Sequence, residues 1–312
     1  MSKKVLITPK SFGTYKAKAY PLLQEQGYEI IENTLGRTMS EQDILDVAAA
    51  DVVGIIVGVD PLPASVLEKC KDLKAVSKYG VGMDNIDLEK AKDLGIKVKN
   101  AVGTNNISVA EQAIALMFSI SRNIPSIAAG VKKGGWDRVI GMEVTGKKLG
   151  LLGGGQIGKE VAKRARGLMM EVTIYDPYFN DDSFLKEYGI NRCFDFNELL
   201  GNSDILSLHV PVTPETKGIM SKDAFARMKP SALLINTSRG ELVDEDALYE
   251  ALINKKIAGA AQDVFSCEPP SKDEKLLQVD NFILTPHIGA FTREAVENMV
   301  MVSTKNLLEM LA

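Results

Sequence analysis

Histidine is almost absent from this chain, with only His209 and His287 among 312 residues. Chemistry near neutral pH that needs an imidazole therefore has two candidates. Cysteine is scarce as well. Cys70, Cys193 and Cys267 are odd in number, far apart and without a Cys-x-x-Cys spacing, which argues against both a disulfide framework and a zinc site. No metal is expected. Long apolar runs are missing: no stretch approaches the ~18 residues that a bilayer crossing needs. The run that starts at Val5 is too short for a signal peptide. Basic clustering is missing too, with 37 Lys and Arg against 41 Asp and Glu and a formal charge of −4. Neither nucleic acid nor a membrane is an expected partner. The expected compartment is the reducing cytoplasm.

What is present is the balance of a globular protein, 45% hydrophobic and 25% charged residues. At ~150 residues per domain the length suggests two domains. Short β-branched runs alternate with helical patterns throughout. Val5 to Thr8, Val52 to Val57, Lys74 to Ser77 and Ile96 to Val98 predict strands in the first third. Lys148 to Leu152, Val172 to Tyr175, Ile205 to His209, Ala232 to Asn236, Ile257 to Ala261 and Phe282 to Thr285 predict a second series. Continuous apolar runs of this kind suit buried parallel strands. The stretches Thr14 to Gly27 and Ser40 to Ala50 read as amphipathic helices. Ser65, with Glu68 three residues on, has a capping-box spacing. Ile107 to Ile120 exceeds strand length and reads as a buried helix. Gly134-Gly135-Trp136 breaks the rhythm after Pro125 and predicts an arm or long loop over 125–145. A tryptophan on such an arm suits a subunit contact. The expected class is α/β, with doubly wound parallel sheets.

Lys148-Leu-Gly-Leu-Leu-Gly153-Gly-Gly155-Gln-Ile-Gly158 is a predicted strand running into G-x-G-x-x-G and then a helix. The first glycine permits the tight turn and the second lets a pyrophosphate approach the backbone. The third lets helix and strand pack closely, with the helix N-terminus toward the phosphates. The next strand ends at Asp176, 18 residues beyond Gly158. A carboxylate there accepts from both adenosine-ribose hydroxyls and repels a 2′-phosphate, so NAD is expected rather than NADP. The plainer reading of Asp176 is a turn residue before Pro177.

Three later segments put ionisable side chains just after predicted strands, where open α/β sheets bind ligands. They are Asn236-Thr-Ser-Arg239-Gly240, Asp263-Val-Phe-Ser-Cys-Glu268 and Thr285-Pro-His287-Ile-Gly-Ala290. A guanidinium can grip a substrate carboxylate bidentately and polarise the adjacent carbonyl. An imidazolium can protonate that carbonyl oxygen as hydride arrives, and imidazole can take the proton back in oxidation. A carboxylate beside the ring fixes its tautomer. Taken singly, Arg239 could be a surface charge and Glu268 a turn residue.

With Lys78-Tyr-Gly-Val-Gly-Met-Asp-Asn-Ile-Asp87 and Gly103-Thr-Asn-Asn-Ile-Ser-Val-Ala-Glu111, these segments run in one order along nearly the whole chain. In that order the sequence resembles the D-isomer-specific 2-hydroxyacid dehydrogenases, most of all the branch that oxidises 3-phosphoglycerate toward serine. The resemblance implies Arg239, Glu268 and His287 as a catalytic triad. It implies NAD contacts from Val81, Gly153, Gly155, Gln156, Ile157, Gly158, Asp176, Val210, Thr237, Ser238, Arg239, Asp263, His287, Gly289 and Ala290. It implies substrate contacts from Lys78, Val81, Gly82, Asn105, Arg239 and His287, with Arg138 reaching across a homodimer to the phosphate. His209 resembles a position beside the cofactor.

The resemblance also implies a Rossmann NAD-binding domain over 102–284 and a flavodoxin-like substrate domain from 1–101 and 285–312, with a cleft between them. The homodimer would form through the NAD domain and the 125–145 arm. Many members carry an arginine just after the second predicted strand, where this chain has Gly58 and, close by, Asp60. The phosphate site is thus expected to be partly retained. With the sequence ending at Ala312, feedback through a C-terminal regulatory domain is not expected. The alternatives are a reductase for hydroxypyruvate or another small 2-oxo acid, and, from another class, a corepressor-like NAD(H)-sensing scaffold. Glu268 disfavours the formate-oxidising branch, whose arrangement pairs glutamine with histidine.

Overall fold

Among the described residues, 3–312 of a computed structural model, twelve strands form two wholly parallel sheets. The chain divides into two compact units, one running to Asn105 and resuming over Ala290–Ala312, the other Asn106–Gly289.

In the first unit, β1 (Lys3–Ile7), β2 (Tyr28–Glu32), β3 (Val52–Val57), β4 (Ala75–Lys78) and β5 (Lys97–Asn100) lie in the order β2-β1-β3-β4-β5. This is the flavodoxin-like order. Strand β3, Val-Val-Gly-Ile-Ile-Val, is buried at all six positions because helices cover both faces of a parallel sheet. Gly54 in β3 lets the returning helix Arg293–Leu311 lie close. A Cβ at that position would meet the Leu307 side chain at 3.0 Å.

In the second unit, β6 (Lys148–Leu152), β7 (Glu171–Tyr175), β8 (Asn191–Cys193), β9 (Ile205–Leu208), β10 (Leu233–Asn236), β11 (Gly259–Gln262) and β12 (Phe282–Leu284) follow the order β12-β11-β10-β9-β6-β7-β8. Going outward from β6, the chain winds one way through β7 and β8 and the other way through β9 to β12. That reversal is the doubly wound Rossmann arrangement, and its switch point lies between β6 and β9. The buried helix Asn106–Ser121 packs on this sheet through Ala113, Leu116, Met117 and Ile120. Among the described residues no single helix is long and apolar enough to cross a membrane.

Two α/β units with parallel sheets are what the alternating pattern predicts, and several local readings need correction. Strands β2 and β8 were not anticipated: β2 is partly polar, Tyr-Glu-Ile-Ile-Glu, and β8 has three residues. Ser65 and Glu68 make no capping box. Their helix, Ala64–Leu67, begins after Pro63, Ser65 donates to Glu41 and Glu68 pairs with Lys90 at 2.8 Å. The capping box lies instead at Ser40 and Asp43. The 125–145 segment is only partly a loop, since Ile124–Lys132 is helical, with Pro125 in the first turn where its missing N–H costs nothing. The irregular arm begins after that helix and leaves Trp136 and Ile140 exposed at 78% and 97%.

Candidate active site

The fingerprint turn opens the second unit's sheet at its switch point. Gly153 has φ +104°, and a Cβ there would lie 2.4 Å from the His209 carbonyl oxygen. A Cβ on Gly158 would lie 2.2 Å from the Gly153 carbonyl oxygen. Only glycine fits at either position. At Gly155 a Cβ would meet nothing within 4 Å, so the turn is open on the side where the helix Gln156–Gly167 points its free N–H groups. The Gln156 side chain accepts a short hydrogen bond from Asn106, and Ile157 packs on the sheet.

Asp176 follows β7. Its carboxylate accepts from Gly154 N at 2.9 Å and from Tyr178 N at 2.9 Å. The turn role and the ribose role are therefore compatible: each oxygen accepts one backbone N–H, and the carboxylate keeps lone pairs for two hydroxyls. At the ends of β9 and β10, Ser238 Oγ donates to Val210 O at 2.6 Å. The nearby Thr237 Oγ1 is buried and finds no partner among the described residues. A glycine cradle open at its mouth, a carboxylate just after the next strand and an orphaned hydroxyl at the end of β10 fit a bound dinucleotide.

His209, at the end of β9, bonds Ser207 Oγ through Nε2 at 2.8 Å. Burial pulls its pKa down to about 4, so the ring is neutral at physiological pH.

Arg239, Glu268 and His287 follow β10, β11 and β12. The first two loops are pressed together by Gly240, where a Cβ would stand 2.0 Å from the Phe265 carbonyl carbon. The Arg239 loop is organised by buried Asn236, which accepts from Ser238 N at 3.0 Å and donates to Arg239 O at 2.8 Å. Glu268 Oε1 accepts from Phe265 N at 2.9 Å and Oε2 meets His287 Nδ1 at 2.7 Å. Burial alone would push the Glu268 carboxyl up. The His287 hydrogen bond and charge, the Phe265 N–H and the Arg239 guanidinium outweigh it and hold the group below its usual range. The pair is thus an anion facing an imidazole, and with Nδ1 engaged, Nε2 is the ring atom left to exchange a proton.

His287 itself has φ +53°, a left-handed conformation uncommon for a side-chain-bearing residue. It is held by Asp263, 1% exposed, whose carbonyl accepts from His287 N at 2.8 Å. The Asp263 carboxylate accepts from Thr285 Oγ1 at 2.5 Å, Ile288 N at 3.0 Å and Gly289 N at 2.6 Å.

Lys78, Val81, Gly82 and Asn105 belong to the first unit, as does Ala290, the first residue of its second segment. Lys78 is buried and donates to Asn85 Oδ1 at 2.6 Å and, in a shorter bond, to Gly58 O. Val81 O accepts from Asn100 at 2.6 Å, and the buried Asn105 Oδ1 finds no partner among the described residues. Asp60, 2% exposed, accepts from Thr8 and from Met39 N at 2.7 Å. Arg138 stands on the exposed arm.

The profile of the D-isomer specific 2-hydroxyacid dehydrogenase NAD binding domain matches residues 114–289. The chain belongs to that family. Its matched region is the family's NAD-binding domain, and NAD is the cofactor. Among curated relatives, D-3-phosphoglycerate dehydrogenase from Archaeoglobus fulgidus is 40% identical over 94% of this chain and 55% of its own. Hydroxypyruvate reductase from Thermotoga maritima is 41% identical over 85% of this chain and 83% of its own. Among solved structures, the TT0316 protein from Thermus thermophilus superposes with a TM-score of 0.89 at 34% identity, covering 99% of this chain and 96% of that one. The chain spans about half the length of several of the curated D-3-phosphoglycerate dehydrogenases it matches.

The sequence did not single out Ser108, Gln112, Thr285 and Asn236, polar side chains that shape these loops. For the first two there was a signal: polar residues four apart, sharing one face of a mostly apolar helix.

Proposed function

We propose that this family member is an NAD-dependent dehydrogenase interconverting a small D-2-hydroxy acid and its 2-oxo acid, with Arg239, Glu268 and His287 as its triad. The observation that carries the reading is the 2.7 Å His287–Glu268 pair, set on the same sheet edge as the Gly153 turn. NAD, held at the Gly153–Gly158 turn and Asp176, would supply the hydride acceptor for oxidation and, as NADH, the hydride donor for reduction. Arg239 grips the substrate carboxylate and draws electron density from the carbonyl. His287 Nε2 gives a proton to the carbonyl oxygen in reduction and takes it from the hydroxyl in oxidation. Glu268 holds Nδ1 protonated and balances the charged ring. Asp176 and the Gly153–Gly158 turn hold the adenosine half, and Asp176 selects NAD over NADP. Lys78, Val81, Gly82 and Asn105, in the other unit, serve the substrate.

The leading substrate is 3-phosphoglycerate, supported by the names of relatives 40–42% identical and by Lys78 and Arg138. A second reading, hydroxypyruvate reduction, is favoured by the buried carboxylate of Asp60 beside Gly58 and by the Thermotoga maritima relative. A panel of 2-oxo acids followed by NADH absorbance decides between them. Equal kcat/KM for 3-phosphohydroxypyruvate and hydroxypyruvate removes the phosphate reading, and no turnover on any 2-oxo acid removes the enzyme reading. The exposed Trp136, Val139 and Ile140 of the arm, with Ile124 and Val131 on the preceding helix, suit a homodimer contact. The compartment that fits the reading is the cytoplasm.

A further inference from the structure

His287 occupies a backbone conformation that costs energy, and such conformations persist only where surrounding bonds over-determine them. Those bonds come from two sides. From below, Asp263 takes the Thr285 hydroxyl and the Ile288 and Gly289 N–H groups. From the side, the buried helix Asn106–Ser121 contributes two polar residues four apart, which share one helical face. Ser108 Oγ donates to Gly289 O at 2.5 Å. The Gln112 amide donates to Thr285 Oγ1 at 3.1 Å and reaches Asp263 Oδ1 at 3.4 Å. These contacts bracket His287, one two residues before it and one two residues after.

Gln112 is the member with most leverage. Its NH2 group meets both the hydroxyl and the carboxylate that fix the start of the loop. Thr285 can donate to only one acceptor, and it spends that proton on Asp263. Its oxygen is then available to receive the Gln112 proton, which orients the hydroxyl. Close approach on the far side is secured by Gly289, where a Cβ would meet Asp263 Oδ2 at 3.0 Å. The loop has little room to relax by itself.

We propose that Gln112, seconded by Ser108, is a positioning residue for proton transfer: through Thr285 and Asp263 it keeps the 285–289 loop in the form that aims His287 Nδ1 at Glu268. Gln112 touches neither His287 nor Glu268 in the hydrogen-bond network and acts only through the loop. The inference rests on the reading of His287 as the acid–base group.

The test uses the full chain with Gln112→Met, which keeps the side-chain length and removes the donors, and Ser108→Ala as a milder companion. With two histidines in the molecule, ring ¹⁵N–¹H spectra resolve His287 with His209 as an internal control. The expected result for Gln112→Met is loss of the single Nδ1-protonated signature of His287 with His209 unmoved. A fall in kcat of roughly 10- to 100-fold should accompany it, the scale of a misplaced catalytic group, while KM for NADH stays within about twofold. Gln112→Lys, which restores a donor at similar reach, should recover part of kcat. An unchanged His287 signature in folded Gln112→Met overturns the proposal. So does a fall in kcat matched by an equal disturbance of His209, which marks general unfolding. The spectra require no turnover: if wild-type protein reduces no 2-oxo acid, the enzyme reading fails while the spectra still decide whether Gln112 sets the His287 ring.

Discussion

The neutral ring of His209 should make the stability of the protein depend on pH in a defined window. An imidazole ordinarily titrates near 6.5, whereas burial holds this one at about 4 in the folded chain. Between those values the unfolded chain binds a proton that the native chain refuses, so stability falls as pH drops from 6.5 and levels off below 4. At about 1.4 kcal/mol per pH unit, the full effect is about 3.5 kcal/mol, of which about 3 is lost by pH 4. The perturbation is His209→Gln, which keeps an amide for Ser207 Oγ and removes the titration. Carboxylates also titrate in acid, so the quantity to follow is the difference between parent and variant. Native-state hydrogen exchange of β9 and β10 amides reads it in the unit concerned. The parent should lose about 3 kcal/mol relative to the variant between pH 7 and 4. Because the cause is burial and not a neighbouring charge, added salt should barely alter it. Parallel curves for the two proteins would refute the reasoning.

How much of this was legible in the sequence depends on how local the signal is. The cores of β3, β6, β9 and β10 are short, continuous apolar runs, buried on both faces, and they stand out without a structure. The strand Tyr28–Glu32 does not. It lies at the edge of its sheet, where glutamates at two of five positions face water, so its pattern is that of a loop. Ser65 and Glu68 show the converse error. The spacing is right for a capping box, but Pro63 and a four-residue helix leave no turn for it to cap.

The site is legible to the same degree. Gly153 and Gly158 announce themselves because steric demands at the turn admit no other residue, and Gly155, where a Cβ would meet open space, completes the recognisable spacing. Arg239, Glu268 and His287 are findable because each follows a strand of one parallel sheet. What the sequence withholds is the support beneath them. Asp263 reads as one more acid near the cofactor, yet it is buried and binds the backbone and hydroxyl of a loop more than twenty residues away. Long-range contacts of that kind leave no periodicity. Gly240 is the same case: its necessity comes from Phe265, which no local pattern places beside it.

Arg239→Ala should raise substrate KM and lower kcat with little change in NAD affinity, measured by steady-state kinetics and a binding titration; an unaltered kcat/KM removes Arg239 from the site. Asp176→Ala should weaken NAD and relax discrimination against NADP, and it also frees the Gly154 and Tyr178 N–H groups, so melting should be followed alongside. Trp136→Glu with Ile140→Glu should shift a dimer to monomer in sedimentation, and an unchanged mass would clear the arm of that role. The histidines give the sharpest comparison. His287→Ala should cost on the order of 10²–10⁴ in rate, the usual worth of a positioned acid–base group. His209→Gln, at a ring that burial keeps neutral and that bonds Ser207, should stay within a few-fold at neutral pH. Glu268→Gln keeps an acceptor for Nδ1 and removes the anion that stabilises the charged ring. Reduction, which begins from imidazolium, should therefore lose more in kcat at saturating substrate than oxidation, which begins from imidazole, the equilibrium itself being unchanged. Because the Glu268 carboxyl titrates below its ordinary 4.5, the wild-type pair keeps its anion down to that pH and loses it as pH falls further. Equal losses in both directions would mean that Glu268 only positions the ring, and a larger loss from His209→Gln than from His287→Ala, in folded protein, would move the acid–base role to the other histidine.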